Sequence, residues 1–303
     1  MTAKYKDFAI PIPSTARALA PIDPAARSEA CVEMVSILYH AEKAALDAFA
    51  RLNDPSIVEN CEIFLHARPM LLADESAHMR DMEEIIRAVG GDRIRPAPAG
   101  FEELWDLELA QRKLPFPLSA RAAALLILIT ESLGYAYLYH LANVTRTTNA
   151  RISALLRSNI DDERRHIQVS MNILRQALSA ATPLDTVELA VYFYAFFLLS
   201  RRAARTMLAA LANVGFNPYV IAASGLCFTC KLLEMVVEDA LGRSAGARLL
   251  AGFSSLSSPG PMRLFKAACY LPEPPYVWLA LRCFARMRRR FPVEPRQSRG
   301  EAK

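Results

Sequence analysis

Two five-residue words decide how this chain reads: Asp74-Glu75-Ser76-Ala77-His78 and Asp162-Glu163-Arg164-Arg165-His166. Side chains three apart on an α-helix lie on one side of it, so each word points a carboxylate and an imidazole the same way. About one long helix upstream of each word stands a single Glu in apolar surroundings, Glu42 and Glu131. Four carboxylates and two imidazoles are the set with which a four-helix bundle holds two iron or manganese ions. With 5 His and 19 Glu in 303 residues, chance supplies Glu-x-x-His about 0.3 times, and about 0.01 times once Asp must precede the Glu. The spacings carry independent weight. Glu42 to Glu75 is 33 residues, Glu131 to Glu163 is 32, and His78 to Glu131 is 53. Two near-equal separations fit helix hairpins, and the third fits a longer crossover, so the pattern is one half-site repeated.

Composition agrees with a helical bundle. The chain is 53% hydrophobic and 22% charged, enough to bury a substantial core, and glycine is scarce. Ala and Leu dominate between turn signals, which favours helices over a sheet. The net charge of +5 is modest and concentrated near the end, at Arg282, Arg286, Arg288, Arg289 and Arg290. No nucleic-acid motif accompanies it. No signal peptide is evident in Met1–Pro24. The six Cys (31, 61, 227, 230, 269 and 283) form no disulfide framework, and Cys227-Phe-Thr-Cys230 reads as helix packing. A reducing cytoplasm fits. Residues 122–142 resemble a membrane span, but Glu131 at the centre would be costly in lipid. A central bundle helix carrying one metal-binding carboxylate explains both features, so no stable membrane insertion is expected.

The expected fold is all-α: a four-helix bundle with additional C-terminal helices. Residues 1–24 form an N-terminal extension, 25–180 the di-metal bundle, 181–292 a helical extension packed on it, and 293–303 a flexible tail. Helix A covers about 25–51. Helix B starts after Pro55 and runs to Gly90-Gly91, with Pro69 expected to kink or interrupt it about one turn before the ligand word. The connection 91–118 has a short helix near 101–112. Helices C and D follow at about 119–146 and 150–180. Later helices are expected near 184–213, 217–242 and 275–291, with a loop at 252–261. Leu38, Ala45, Phe49, Leu71, Met82, Ile127, Leu128, Ile160 and Ile167 flank the six ligands at helical spacing. Ionised carboxylates on such apolar stripes need compensation, and a divalent cation supplies it.

Glu42, Glu75 and His78 are assigned chiefly to one metal, and Glu131, Glu163 and His166 to the other. Glu75 and Glu163 are the expected bridges. Iron suits hard oxygens with one imidazole per metal, and manganese fits nearly as well. Ligating imidazoles usually donate their second N–H to a carboxylate, a role assigned to Asp74 and Asp162, each for the His of the opposite word. Tyr135, one turn after Glu131, is a candidate hydrogen-bonding or redox neighbour. His40, His66 and His140 fall off the ligand faces.

Through Glu42, Asp74-Glu75-x-x-His78, Glu131 and Asp162-Glu163-x-x-His166, residues 25–180 resemble the ferritin-like di-iron carboxylate superfamily. The hairpin spacings, the length near 300 residues and the helical continuation around Leu211–Phe216 look most like AurF-type di-iron N-oxygenases. That family has a further His ligand four residues before the final Glu, where this chain has Asn159. The resemblance implies a ferritin-like bundle with two Fe ions, O2 and an external electron donor, a ferredoxin or reductase. It implies a cytoplasmic oxygenase acting on a small aromatic or apolar molecule by N-oxygenation or hydroxylation, with a homodimer compatible. A ferroxidase, iron-handling or peroxide-scavenging protein is the alternative on the same ligand set.

Overall fold

A computed structural model describes residues 6–11, 24–97, 118–145, 150–178, 188–189, 191–193 and 201–242. These residues are mostly helical. The main elements are α1 (Pro24–Ala50), β1 (Val58–Glu59), α2 (Arg68–Ala88), β2 (Leu118–Ser119), α3 (Ala120–Thr145), α4 (Ala150–Leu178), α5 (Arg201–Asn213) and α6 (Pro218–Leu241). The short helix expected near 101–112, the loop at 252–261, the helix at 275–291 with its basic cluster, and the tail lie outside the described residues.

The chain forms two helix pairs. In the first, Gly91 beyond the end of α2 sits against Val32 early in α1, while Arg68 at the start of α2 donates to the carbonyls of Phe49 and Ala50. That makes α1 and α2 antiparallel. In the second, the Ser153 hydroxyl reaches the Ala142 carbonyl across the α3–α4 turn. The pairs join where α2 meets α4, also antiparallel: Glu84 pairs with Arg151 (2.7 Å), and Asp74 reaches Arg165 and His166. Helix α6 packs on α3 and α4, and α5 on α1 and α6. Gly225 of α6 permits a close approach, because a Cβ there would lie 3.0 Å from the Leu133 side chain.

One expectation fails. The segment after Pro55 is not helix: it holds β1, a 3-10 turn at Cys61–Phe64 and Asn60 in the left-handed region (φ 55°). Helix α2 begins only at Arg68, so Pro69 starts it rather than kinking it. A proline in the first turn loses no helical hydrogen bond, since that N–H has no partner within the helix anyway. β1 pairs in parallel with β2 through Val58 and Leu118. The N-terminal extension is anchored at residues 6–10. The Lys6 backbone exchanges hydrogen bonds with Asn172, Lys6 pairs with Asp239, and Phe8 and Ile10 are buried.

Helix α3 is long and apolar enough to cross a membrane, but 72% of its most apolar window is buried inside the fold. That is the pattern of a core helix. Cys31, Cys61, Cys227 and Cys230 carry thiols rather than disulfides. Burial pushes the Cys230 thiol up to about 12, which leaves it protonated and unreactive.

Candidate metal centre

Each of the four helices α1 to α4 delivers ligand-type side chains to one buried point. Glu42 comes from α1, Glu75 and His78 from α2, Glu131 from α3, and Glu163 and His166 from α4. All six are buried, the two His completely. They form two overlapping groups, Glu42–Glu75–His78–Glu163 and Glu75–Glu131–Glu163–His166, each with donor atoms within 4.8 Å of one another. Glu75 and Glu163 belong to both groups, so either carboxylate can span two cation positions.

The two halves are related by an approximate two-fold arrangement. Nδ1 of His78 faces Glu42 Oε2 (3.3 Å), Glu163 Oε1 (3.7 Å) and Glu75 Oε2 (3.9 Å). Nδ1 of His166 faces Glu131 Oε2 (2.9 Å), Glu75 Oε1 (3.3 Å) and Glu163 Oε2 (3.9 Å). The outer nitrogens cross over. His78 Nε2 donates to Asp162 (3.3 Å) and His166 Nε2 donates to Asp74 (3.1 Å). The guanidinium of Arg165 closes the network from the surface, reaching Asp162 Oδ1 at 2.6 Å and Asp74 Oδ2 at 3.2 Å. The sequence places Asp74 and Asp162 but gives no sign of Arg165. Its only signal is adjacency to His166, two positions past the second Glu.

The electrostatics describe a site short of positive charge. Burial, with the neighbouring charge of Glu42, holds the Glu75 carboxyl well above the usual range; burial and Glu131 do the same to Glu163. Burial would also raise Glu42, but hydrogen bonds from Glu75 and His78 outweigh it, and the net movement is down. Burial works against the imidazolium form of both His. For His78 the bond to Glu42 outweighs it, and for His166 the bonds to Asp74 and Glu131 push the pKa up to about 10. Even so, no N–H or hydroxyl donates to either oxygen of Glu75 or to Oε2 of Glu163, and the 3.3 Å from Glu75 Oε1 to His166 lacks bonding geometry.

Buried carboxylate oxygens left unpaired are costly. Oxygen donors with one inward imidazole per half suit a divalent cation, and these residues fit one.

The other candidates lie apart from this point. Tyr135 is buried against Phe228 of α6 (ring centroids 5.2 Å) and Tyr139, with Arg164 and Asp161 as its charged neighbours. It therefore packs between α3 and α6. Asn159 is buried one turn before Glu163, and its amide nitrogen donates to the Leu155 carbonyl and to Asp81 Oδ2 (2.7 Å). This ties α4 to α2 beside the centre. His40 donates to the Arg95 carbonyl (2.9 Å), His66 is exposed, and His140 is buried with Nε2 unpartnered.

The fold and the site define a mostly helical protein with buried Glu and His clusters that could hold a metal ion. No protein-family model, curated protein or solved structure matches the chain.

Proposed function

We propose that the chain is a cytoplasmic ferritin-like di-iron oxygenase that uses O2 to N-oxygenate or hydroxylate a small aromatic or apolar molecule. A ferredoxin or reductase supplies two electrons; one oxygen atom enters the substrate and the other leaves as water with two protons. The observation that carries this reading is the overlap of the two ligand groups at Glu75 and Glu163, both buried, with three of their four oxygens accepting from no N–H or hydroxyl. Two iron ions held there would supply redox electrons and open coordination positions for O2.

The chain's own residues have distinct tasks. Glu75 and Glu163 would serve both metal ions, Glu42 and Glu131 would each serve one, and the two Nδ1 atoms face inward. Asp162 and Asp74 hold the outer N–H groups, which fixes the tautomer and the ring orientation. Arg165 holds both Asp. Leu71, Met82, Ile127, Leu128 and Ile167, all buried, keep bulk water away from the ligands.

The test is anaerobic Fe(II) titration followed by mixing with O2. The expected outcome is two irons per chain and rapid O2 uptake, both reduced in Glu131→Ala. Uptake of many irons as mineral would favour the iron-handling alternative, and less than one metal per chain would sink both.

A further inference from the structure

Helix α3 carries one glycine in its interior, Gly134, three residues after Glu131. Glycine weakens a helix relative to alanine, so a mid-helix glycine calls for a local reason. Here the reason lies opposite it. A Cβ at position 134 would sit 3.8 Å from Glu163 Oε1 and 3.9 Å from its Oε2, with no heavy atom nearer. The backbone therefore borders a carboxylate common to both ligand groups, and that carboxylate is itself buried with Oε2 unpartnered. Gly134 is half-buried, whereas Glu131, Ser132 and Tyr135 around it are buried. Gly134 thus lies on a partly exposed stretch of α3 and is the residue whose absent side chain would face Glu163.

The repeat sharpens the point. Three residues after Glu42, the equivalent position is Ala45, which is buried and carries the Cβ that Gly134 lacks. The first half thus carries a methyl group where the second carries none. On the same stripe of α3, at helical spacing, Thr130 stands four residues before Gly134 and Tyr137 three after it. The Thr130 hydroxyl is committed to the Ile127 carbonyl (2.7 Å), and Tyr137 is half-buried with its ring packed on the core.

We propose that Gly134 is the mouth through which a small neutral or aromatic molecule reaches the metal centre beside Glu163, and that side-chain size at 134 sets the largest molecule admitted. Tyr137 flanks this mouth with a phenol kept protonated, since burial pushes it up to about 12. The stripe offers no charged group, which matches an uncharged ligand. The inference rests on the di-metal reading and specifies where its substrate enters.

The experiment compares wild type, Gly134→Ala, Gly134→Val and Gly134→Leu after iron loading and oxidation to the ferric form. Azide and phenol serve as the probes, titrated by their charge-transfer absorbance. Alanine is expected to leave both affinities within about threefold, because a 3.8 Å contact is ordinary packing. Leucine is expected to weaken phenol by at least about tenfold while azide moves less than about threefold, with valine between them. The proposal is overturned if phenol affinity in the leucine variant stays within threefold of wild type, or if azide and phenol fall equally. Loss of iron in both valine and leucine variants would mean that position 134 has no free space, which also overturns it. Wild type holding less than one iron would instead defeat the di-metal reading and this inference with it.

Discussion

Loading the metal-free protein with two divalent cations at pH 7 is expected to expel at least about one proton, from His166, with further release from three other raised groups. Four groups contribute. The Glu75 and Glu163 carboxyls are held well above the usual range by burial and by neighbouring carboxylates, and both imidazoles are raised, His166 to about 10. Binding needs all four ligands without those protons: two carboxylates, and two rings with a free Nδ1. Each proton that leaves offsets one of the positive charges that enter. That exchange lowers the desolvation cost of binding cations in an enclosed centre. Ordinary carboxyl and imidazole values would instead release only about half a proton in total at pH 7. The assay is isothermal titration calorimetry with Mn(II) or anaerobic Fe(II), repeated in buffers of different ionisation enthalpy, which yields the proton number directly. Apparent affinity should rise steeply with pH below about 10, by about tenfold per unit for each proton released. Release of less than one proton per two metals would refute the reasoning.

The same groups set the pH response of the metal-free fold. Between pH 4.5 and the raised folded values, the native state binds more protons than the unfolded one, so stability falls as pH rises, through about 10 for His166. Urea midpoints measured from pH 6 to 9 in chelator should fall with pH, and metal should flatten that decline; a rise would contradict it. Asp74→Ala leaves His166 Nε2 without its acceptor and should weaken metal binding by about 10–100-fold, read by chelator competition. Glu42→Ala removes a member of one group only and should leave one tight metal per chain, whereas Glu75→Ala touches both groups and should leave less than one, counted by elemental analysis. Asn159→Ala breaks the buried bond to Asp81 and should cost about 1–3 kcal/mol in denaturant unfolding.

Much of this arrangement is legible in the residue order, because helical period and ligand spacing are local properties. The expected helices at 25–51, 119–146 and 150–180 lie within two residues of α1, α3 and α4 at each end. The two words meet because equal hairpin lengths bring them to one level. What escaped reading depends on neighbours distant in sequence. Pro69 looks alike inside a helix or at its start, and the strand pair with residue 118 decides for the start. Tyr135 has the right spacing from Glu131 to face the centre, yet Phe228, more than ninety residues on, draws its ring to α6. Asp81 carries no motif at all; only the approach of α2 to α4 brings it to Asn159.

The repeat is faithful in its ligands and unfaithful around them. Arg165 falls where the first word has Ala77, and the small residue leaves one guanidinium free to reach both Asp74 and Asp162. Asn159 falls where the first half has Leu71, so one flank is held by a polar bond and the other by apolar packing. Gly134 falls where the first half has Ala45. Four carboxylates and two imidazoles need only the two-fold pattern to hold cations, and these three departures lie around the ligands rather than among them. On the proposed reading a substrate would approach from one direction, while two metal positions would need none. The broken symmetry therefore lies where directional chemistry would act, and Glu163, beside Gly134 and one turn from Asn159, stands at its centre.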